Sequence, residues 1–304
     1  MHSGKFSIIA NAFLVAAIFL IIAILRPLDF GNDTITYYIT FIEYYDTSDR
    51  IDRFPDLYFD LLSKFIVNNV HSQEEGFRIL LMIIGLSQFA FFYKILAKQY
   101  NVFMIYVIGL GFGPLIYFDI LRQGLAMVIV GYFYLYRAAI IFFVFSIGVH
   151  LNSIFALPIL FGSNKILSIK QILSLFVFSV IIVAFLFEEI YGRLAWYLTH
   201  DGYLASVIEI DSLLDSWSAM NYLVVIFYIY IIKSFQIRTM EGVVLLVAYL
   251  ISIYYPLLHR IYIFILFLIT INPEISISKM NKICSLVYCV IILKLFLNAF
   301  PNQF

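Results

Sequence analysis

Charge is what this sequence has least of. Only 12% of its 304 residues are Asp, Glu, Lys or Arg, about half the share of a soluble domain, so a water-exposed globular fold is excluded for most of the chain. Cysteine is nearly absent. Cys284 and Cys289 lie five apart in the last apolar run, which suggests neither a disulfide framework nor a metal site. No cluster has metal-ligand spacing, no Gly-rich loop of the P-loop or Rossmann kind is present, and no GxSxG elbow appears. Sequence repeats, low-complexity tracts and a soluble domain are missing as well. These absences remove nucleotide-dependent, metal-dependent and serine-hydrolase chemistry from the expected functions, and nothing points to nucleic acid.

What remains is apolar and aromatic: 63% hydrophobic residues, with 32 Phe and 23 Tyr. Aromatic belts at two interfaces and a lipid-facing surface account for such a composition. The expected fold class is an all-α polytopic membrane protein, one transmembrane domain over residues 1–304. Spanning runs are expected at about 6–25, 77–93, 101–118, 120–136, 171–187, 218–232, 240–256, 258–272 and 283–300, about nine full transmembrane helices. The first of these is long enough to span and too long for a typical cleavable signal core.

With the N-terminus in the cytoplasm, the inner segments hold ten basic residues against Glu241 and Glu274, while the outer segments hold eight against seventeen acids. That satisfies the positive-inside rule, but it puts Arg137 and Lys165 on one side, so 138–161 cannot be a single span. A broken helix pair around His150 resolves this, since broken backbone is tolerated at depth where protein or a wet cavity surrounds it. Two outer loops follow, 26–76 and 188–217. In the first, Leu57, Leu61, Leu62, Phe65 and Ile66 fall on one face of an expected interfacial helix. The second is acidic and aromatic, with Trp196 and Trp217 near its ends.

The polar residues that interrupt the spans carry the chemistry. Asp119, Arg122 and Gln123 have i, i+3, i+4 spacing at the mouth of the fourth span. Intramembrane ionisable groups face protein or a cavity and mark substrate paths, whereas an arginine that merely snorkels is an anchor. His150, flanked by Ser146 and Ser153, marks the break. His259 and Arg260 open another span, with Tyr255 four residues before His259. Among the carboxylates of the first loop, Asp33, with Tyr37 four residues on, and Asp56 in "FPDLYF" stand out.

On this topology Arg122, Arg260, His259 and His150 approach one outward-facing cavity. Arginine stays charged and grips phosphate in a bidentate fork, and a nearby histidine or carboxylate takes a proton from an attacking hydroxyl. Glycan transfer from a polyprenyl diphosphate to an acceptor hydroxyl fits this set, with the arginines on the leaving group. A polysaccharide-lipid flippase would use the same arginines, but alternating access usually comes with internal repeats. A membrane acyltransferase would want a His/Asp pair beside a cytoplasmic entry, and none is found.

The segments "LRQGLAMVIVGYFYLYR" and "FFVFSIGVHLNSIFALPIL", with "DTITYY" and "EEGFRILL" before them and "LHRIY" after, resemble in their order the Wzy-type polysaccharide (O-antigen) polymerases of the EpsG-like branch. The resemblance implies polymerisation of undecaprenyl-diphosphate-linked oligosaccharides at the periplasmic face of the bacterial inner membrane, with no cofactor. A lipid-linked glycan ligase shares that donor. Carried onto this chain, Arg122, Arg260 and Gln123 would contact diphosphate. His150, His259 and Asp33 would be the catalytic candidates, and Asp56, Tyr37 and Tyr255 would meet the acceptor. Asp33 falls where such proteins tend to have an acid, but Asp56 stands where Glu is expected. Membrane lipid and a chain-length regulator protein are the implied further partners.

Overall fold

A computed structural model describes residues 2–27, 34, 37–39, 41, 57–99, 101–162, 219–233, 239–254, 259–272 and 282–298. Among them there is no strand. The helices are α1 (His2–Leu25), α2 (Leu57–Val67), α3 (Gln73–Ala97), α4 (Val102–Pro114), α5 (Leu121–Tyr136), α6 (Ile141–Val149), α7 (Leu157–Gly162), α8 (Ala219–Lys233), α9 (Thr239–Tyr254), α10 (His259–Ile271) and α11 (Lys282–Asn298). The expected span at 171–187 and the second loop, 188–217, lie outside the described residues. Among the described residues two helices, Lys5–Leu25 and Gln73–Ala97, are long and apolar enough to cross a membrane. Along α1, Phe6 and Leu25 are each 75% exposed, and Ile9, Phe13, Leu14, Ile18 and Ile21 are exposed with them. Water would not tolerate a continuous apolar stripe of this kind; the architecture is that of a helical membrane protein.

The chain divides into two compact units, Met1–Ala156 with Phe267–Phe304, and Leu157–Leu266. In the first, α1 and α3 run antiparallel: Phe13 meets Phe89 and Tyr93 edge-on at 5.7 and 6.0 Å, and Leu20 packs on Gly85. α4 lies parallel to α1 because Gly109 and Gly113, one helical turn apart, receive Val15 and Phe19. Between them Gly111 faces the other way, against Ile292 of α11. The run "GLGFG" is therefore a two-sided packing surface, small residues letting helices approach closely where lipid supplies no hydrophobic drive. This order gathers Lys5, Lys94, Lys98 and Arg137 at one end, where Lys98 Nζ sits 5.3 Å from the Tyr136 ring centre and Tyr136 Oη donates to the Lys94 carbonyl at 2.8 Å.

The sequence reads as two regular spans meeting near residue 119, but the junction is more elaborate. α4 ends at Pro114, a π-helical turn covers Leu115–Asp119, and Ile120 (φ −112°, ψ 57°) breaks the chain before α5 starts at Leu121. Asp119 therefore precedes the break, and Arg122 and Gln123 follow it on a separate helix.

The break expected near residue 150 falls at His150. α6 stops at Val149, His150 is extended (φ −161°, ψ 126°), and a 3-10 turn follows over Leu151–Ala156. At 1.5 Å per residue, the nine residues of α6 rise about 13 Å, well short of a roughly 30 Å core.

The helix expected near residue 60 is present, with Leu61 and Phe65 of its expected apolar face left uncovered by protein. Phe59, Ser63 and Ile66 are buried, while Leu61 and Phe65 are 57% and 65% exposed. Packing chose the face: α2 seats on α3 and α6, with Tyr58 edge-on to Phe145 at 5.3 Å and Phe59 beside Tyr37 at 6.4 Å.

In the second unit α9 packs against α7 and α8. Tyr228 and Tyr262 share a hydroxyl–hydroxyl hydrogen bond of 2.7 Å, and Tyr249 donates to Asn221 Oδ1 at 3.0 Å. Tyr249 stands edge-on to Tyr228 at 5.6 Å, and the three tyrosines form a buried cluster.

Candidate functional site

The irregular turn between α4 and α5 frees backbone carbonyls that a continuous helix would pair, and buried carbonyls need donors. Three side chains from elsewhere in the chain supply them. Gln88, fully buried in the middle of α3, donates from Nε2 to Ile116 O at 2.7 Å and Leu121 O at 3.0 Å. Arg26, the first residue after α1, donates from Nη1 to Phe118 O at 3.1 Å, and Thr34 Oγ1 donates to the same oxygen at 3.1 Å. Gly124 completes the joint: a Cβ there would lie 2.5 Å from the Ile116 carbonyl oxygen and 2.7 Å from its Cα, so α5 starts where only hydrogen fits.

Arg122 projects from the first turn of α5 into an aromatic clamp. Its guanidinium carbon stands 5.0 Å from the Tyr37 ring centre and 5.9 Å from that of Phe59. Cation–π contact suits a charge at a poorly hydrated mouth, and the weakly hydrated guanidinium is the cation that accepts such a setting. Gln123 beside it is 2% exposed. A second arginine reaches the same turn, since Arg26 lies over the Phe118 ring at 5.4 Å and is itself only 5% exposed. Burial lowers its guanidinium to about 10, so it is cationic at neutral pH. A hydrogen bond to a charged donor contributes about 1.5–3 kcal/mol, whereas desolvating an ion costs several.

His150 belongs to the same unit. Its N–H donates to Ser146 O at 2.9 Å, its carbonyl accepts from Ser153 N at 3.0 Å, and Ser153 Oγ donates to Ser146 O at 2.9 Å. The two serines expected to flank the histidine thus hold the end of α6 closed. Four residues join α5 to α6, which makes them antiparallel neighbours, and Phe133 meets Phe143 at 5.8 Å. Taking that pair as level, Arg122 is about 16 Å and His150 about 10 Å nearer the mouth, roughly one turn apart in depth.

Of the other expected residues, Tyr37 is buried and sits at Arg122. Asp33, Asp56 and Tyr255 lie outside the described residues. His259 and Arg260 open α10 in the second unit, half-buried, where the His259 ring faces Tyr262 at 5.5 Å. The sequence reading overlooked Arg26, Thr34, Gln88 and the Tyr228–Tyr262 pair. Arg26 did carry a signal: it is a basic residue directly at the end of the first span that the charge count assigns to the acid-rich side, against the bias of that side.

No curated protein and no solved structure matches this chain. The model of the EpsG family matches residues 10–303, nearly its whole length, and that family is Wzy-polymerase-like, associated with glycosyltransferase-type polymerisation in polysaccharide biosynthesis. The chain with the clamped arginine and the histidine at a helix break belongs to the EpsG family.

Proposed function

We propose that this protein polymerises polyprenyl-diphosphate-linked oligosaccharide repeat units into a surface polysaccharide, O-antigen or related. The setting is the outer face of the bacterial inner membrane, with the N-terminus in the cytoplasm. The observation that carries the reading is Arg122, held by Tyr37 and Phe59 at the mouth of α5 in a chain of the EpsG family. In the reaction an acceptor hydroxyl oxygen bonds the anomeric carbon of the donor as the bond from that carbon to the diphosphate breaks. The electron pair leaves with the diphosphate, whose charge Arg122 and Gln123 stabilise, and the hydroxyl proton passes to a base. His150, about one turn deeper, is the first candidate for that base, with Asp33 and His259 tested beside it. Arg260 brings the same phosphate chemistry in the second unit. Tyr37, Asp56 and Tyr255 are the candidates for acceptor contact. The donor carries its own leaving group, so the reading calls for no cofactor or metal. A chain-length regulator is a candidate partner.

The test uses purified protein in lipid with a polyprenyl-diphosphate-linked repeat unit as sole substrate. A ladder of products is expected, and a folded Arg122→Ala variant should lose about 100-fold or more in rate. Transfer of a single unit to a foreign acceptor, without a ladder, would make the protein a ligase. Movement of the lipid across the bilayer without any transfer would make it a flippase. A ladder undiminished by Arg122→Ala would return that residue to the role of an interface anchor.

A further inference from the structure

We infer that the lysine end of the first unit carries a binding site for an anionic phospholipid headgroup, formed by Lys94, Lys98 and Arg137 around Tyr136. The hydroxyl of Tyr136 donates to the Lys94 carbonyl at 2.8 Å, and Lys98 Nζ lies 5.3 Å from the centre of the same ring. Lys94 and Lys98 are one turn apart on α3, and Arg137 follows Tyr136 directly in the chain. All three cations are exposed, and among the described residues none is paired with a carboxylate. Carbonyls left over at the end of α3 have neutral donors instead: Tyr136 at Lys94 O, and Gln99 Nε2 at Ile95 O at 3.2 Å. Neither ammonium closes the helix. Lys94 Nζ lies 5.8 Å from the Tyr93 ring centre, as Lys98 lies over Tyr136.

The charge bias of membrane proteins accounts for basic residues at such an end in general, but two features go beyond it. Arg137 ends α5 in the left-handed conformation, φ 49° and ψ 41°, and among the described residues it alone, apart from glycine, has a positive φ. Glycine takes that conformation freely and is the ordinary choice at a helix end of this kind. A basic side chain held there against the backbone's preference points to a use for its charge. The second feature is the surface next to the cations. Phe91, about one turn before Lys94, meets Tyr132 at 5.3 Å and Phe142 at 6.0 Å, and Tyr132 stacks on Tyr136 at 4.8 Å. Phe91, Tyr132 and Phe142 are half-buried, and neighbouring Ile141 is 62% exposed. Cations beside a half-covered aromatic wall match one molecule that carries both a phosphate head and apolar chains. A soluble phosphate would meet only the cations.

The experiment measures equilibrium binding of radiolabelled phosphatidylglycerol to the full chain in a neutral detergent, with zwitterionic phosphatidylcholine as the control lipid and inorganic phosphate as a competitor. The variants are Arg137→Gly, Arg137→Lys, the double variant Lys94→Gln with Lys98→Gln, and Arg122→Ala at the opposite end, each with its melting temperature. Arg137→Gly removes the charge and the backbone strain together, so it should melt no lower than wild type. One cation near a membrane surface is worth about fivefold in affinity for an anionic lipid. Arg137→Gly should therefore bind phosphatidylglycerol about fivefold more weakly and the double lysine variant about 25-fold, while Arg137→Lys and Arg122→Ala stay close to wild type. Wild-type affinity in a folded Arg137→Gly and in the double lysine variant overturns the inference, as does equal affinity of the wild type for the two lipids. Loss of affinity in Arg122→Ala alone would put the phosphate site at the arginine mouth. Displacement by inorganic phosphate at concentrations comparable to the lipid would assign the cations to a soluble anion. Either result overturns the inference. An Arg137→Gly that melts well below wild type gives the arginine to the fold and overturns it as well. In every case the proposed reaction stands or falls on its own test.

Discussion

At the scale of single residues, the site depends on a glutamine in the middle of a transmembrane helix. Gln88 is fully buried on α3 and its amide holds two carbonyls of the turn between α4 and α5. Replacing it with Leu leaves those oxygens buried without that donor, and a stranded buried polar group costs about 1–3 kcal/mol. Gln88→Leu should therefore lower the melting temperature of the detergent-solubilised protein by several degrees. Ser87→Ala, one position away and bonded only within its own helix, should change stability by no more than about 0.5 kcal/mol. Equal effects at the two positions would mean that the turn does not need the brace. Arg122 and His150 were legible in the sequence because each interrupts an apolar run with a polar group that lipid would not accept. Gln88 interrupts one too, yet a neutral amide with no polar neighbour at helical spacing gives no hint of what it holds. Its meaning comes from carbonyls 28 and 33 residues away.

Among elements, the contrast between regular and broken helices governs what could be foreseen. Long apolar periodicity located α1, α3, α5 and α8 to α11 within a few residues, because lipid sets their length and composition together. The break at His150 was legible for a different reason: charge placement forbade a straight span between Arg137 and Lys165. The π-turn at Leu115–Asp119 had no such constraint, since Leu115, Ile116 and Phe118 are as apolar as the helix before them and only packing distinguishes them. In α2, Leu61 and Phe65 mark an apolar side that the bundle leaves uncovered, as an interfacial helix would have it, whereas the side with Phe59, which seats it on the bundle, was not legible.

Glycines within helices sort the same way, and the structure separates two kinds. A Cβ at Gly148 would meet nothing within 4 Å, while one at Gly113 would press on the Phe19 ring at 2.5–2.7 Å. Gly148→Ala should be stabilising by about 0.5–1 kcal/mol through backbone entropy. Gly113→Ala should destabilise by about 1–3 kcal/mol because α1 must move away. Thermal unfolding of the two variants reads both signs. A destabilising Gly148→Ala would show a packing partner for that face of α6, and a neutral Gly113→Ala would show that the α1–α4 seam is loose.

On the scale of the whole molecule, the first unit has two chemically different ends. One carries Lys5, Lys94, Lys98 and Arg137, and the other carries the braced turn with Arg26 and Arg122. α3 connects them, from exposed Asn69 just before its start to exposed Lys98 just after its end. Single cysteines at Asn69 and Lys98 should react with a membrane-impermeant maleimide from opposite faces of sealed vesicles. Both native cysteines are buried, Cys284 at 3% and Cys289 at 5% exposure, so the background should be low. Labelling of both positions from one face would show that α3 does not cross, and would remove the basis for placing the arginine mouth on the far side from the lysines. Which side of the cell each end occupies was inferred from charge alone; which residues share an end followed only from the packing of α1 against α3 and α4.

The reach of Arg26 across the chain also has a temporal meaning. Its acceptor, the Phe118 carbonyl, is encoded 92 residues later, and ribosomes add roughly 5–20 residues per second. For about five to twenty seconds of each synthesis the first helix is in the bilayer while its terminal guanidinium waits for a turn that does not yet exist. During that interval its counterparts are lipid headgroups, water and the loop that follows it, which carries Asp29 and Asp33. The mouth is thus assembled late: Arg26 takes its place on the Phe118 carbonyl only when α4 and α5 arrive.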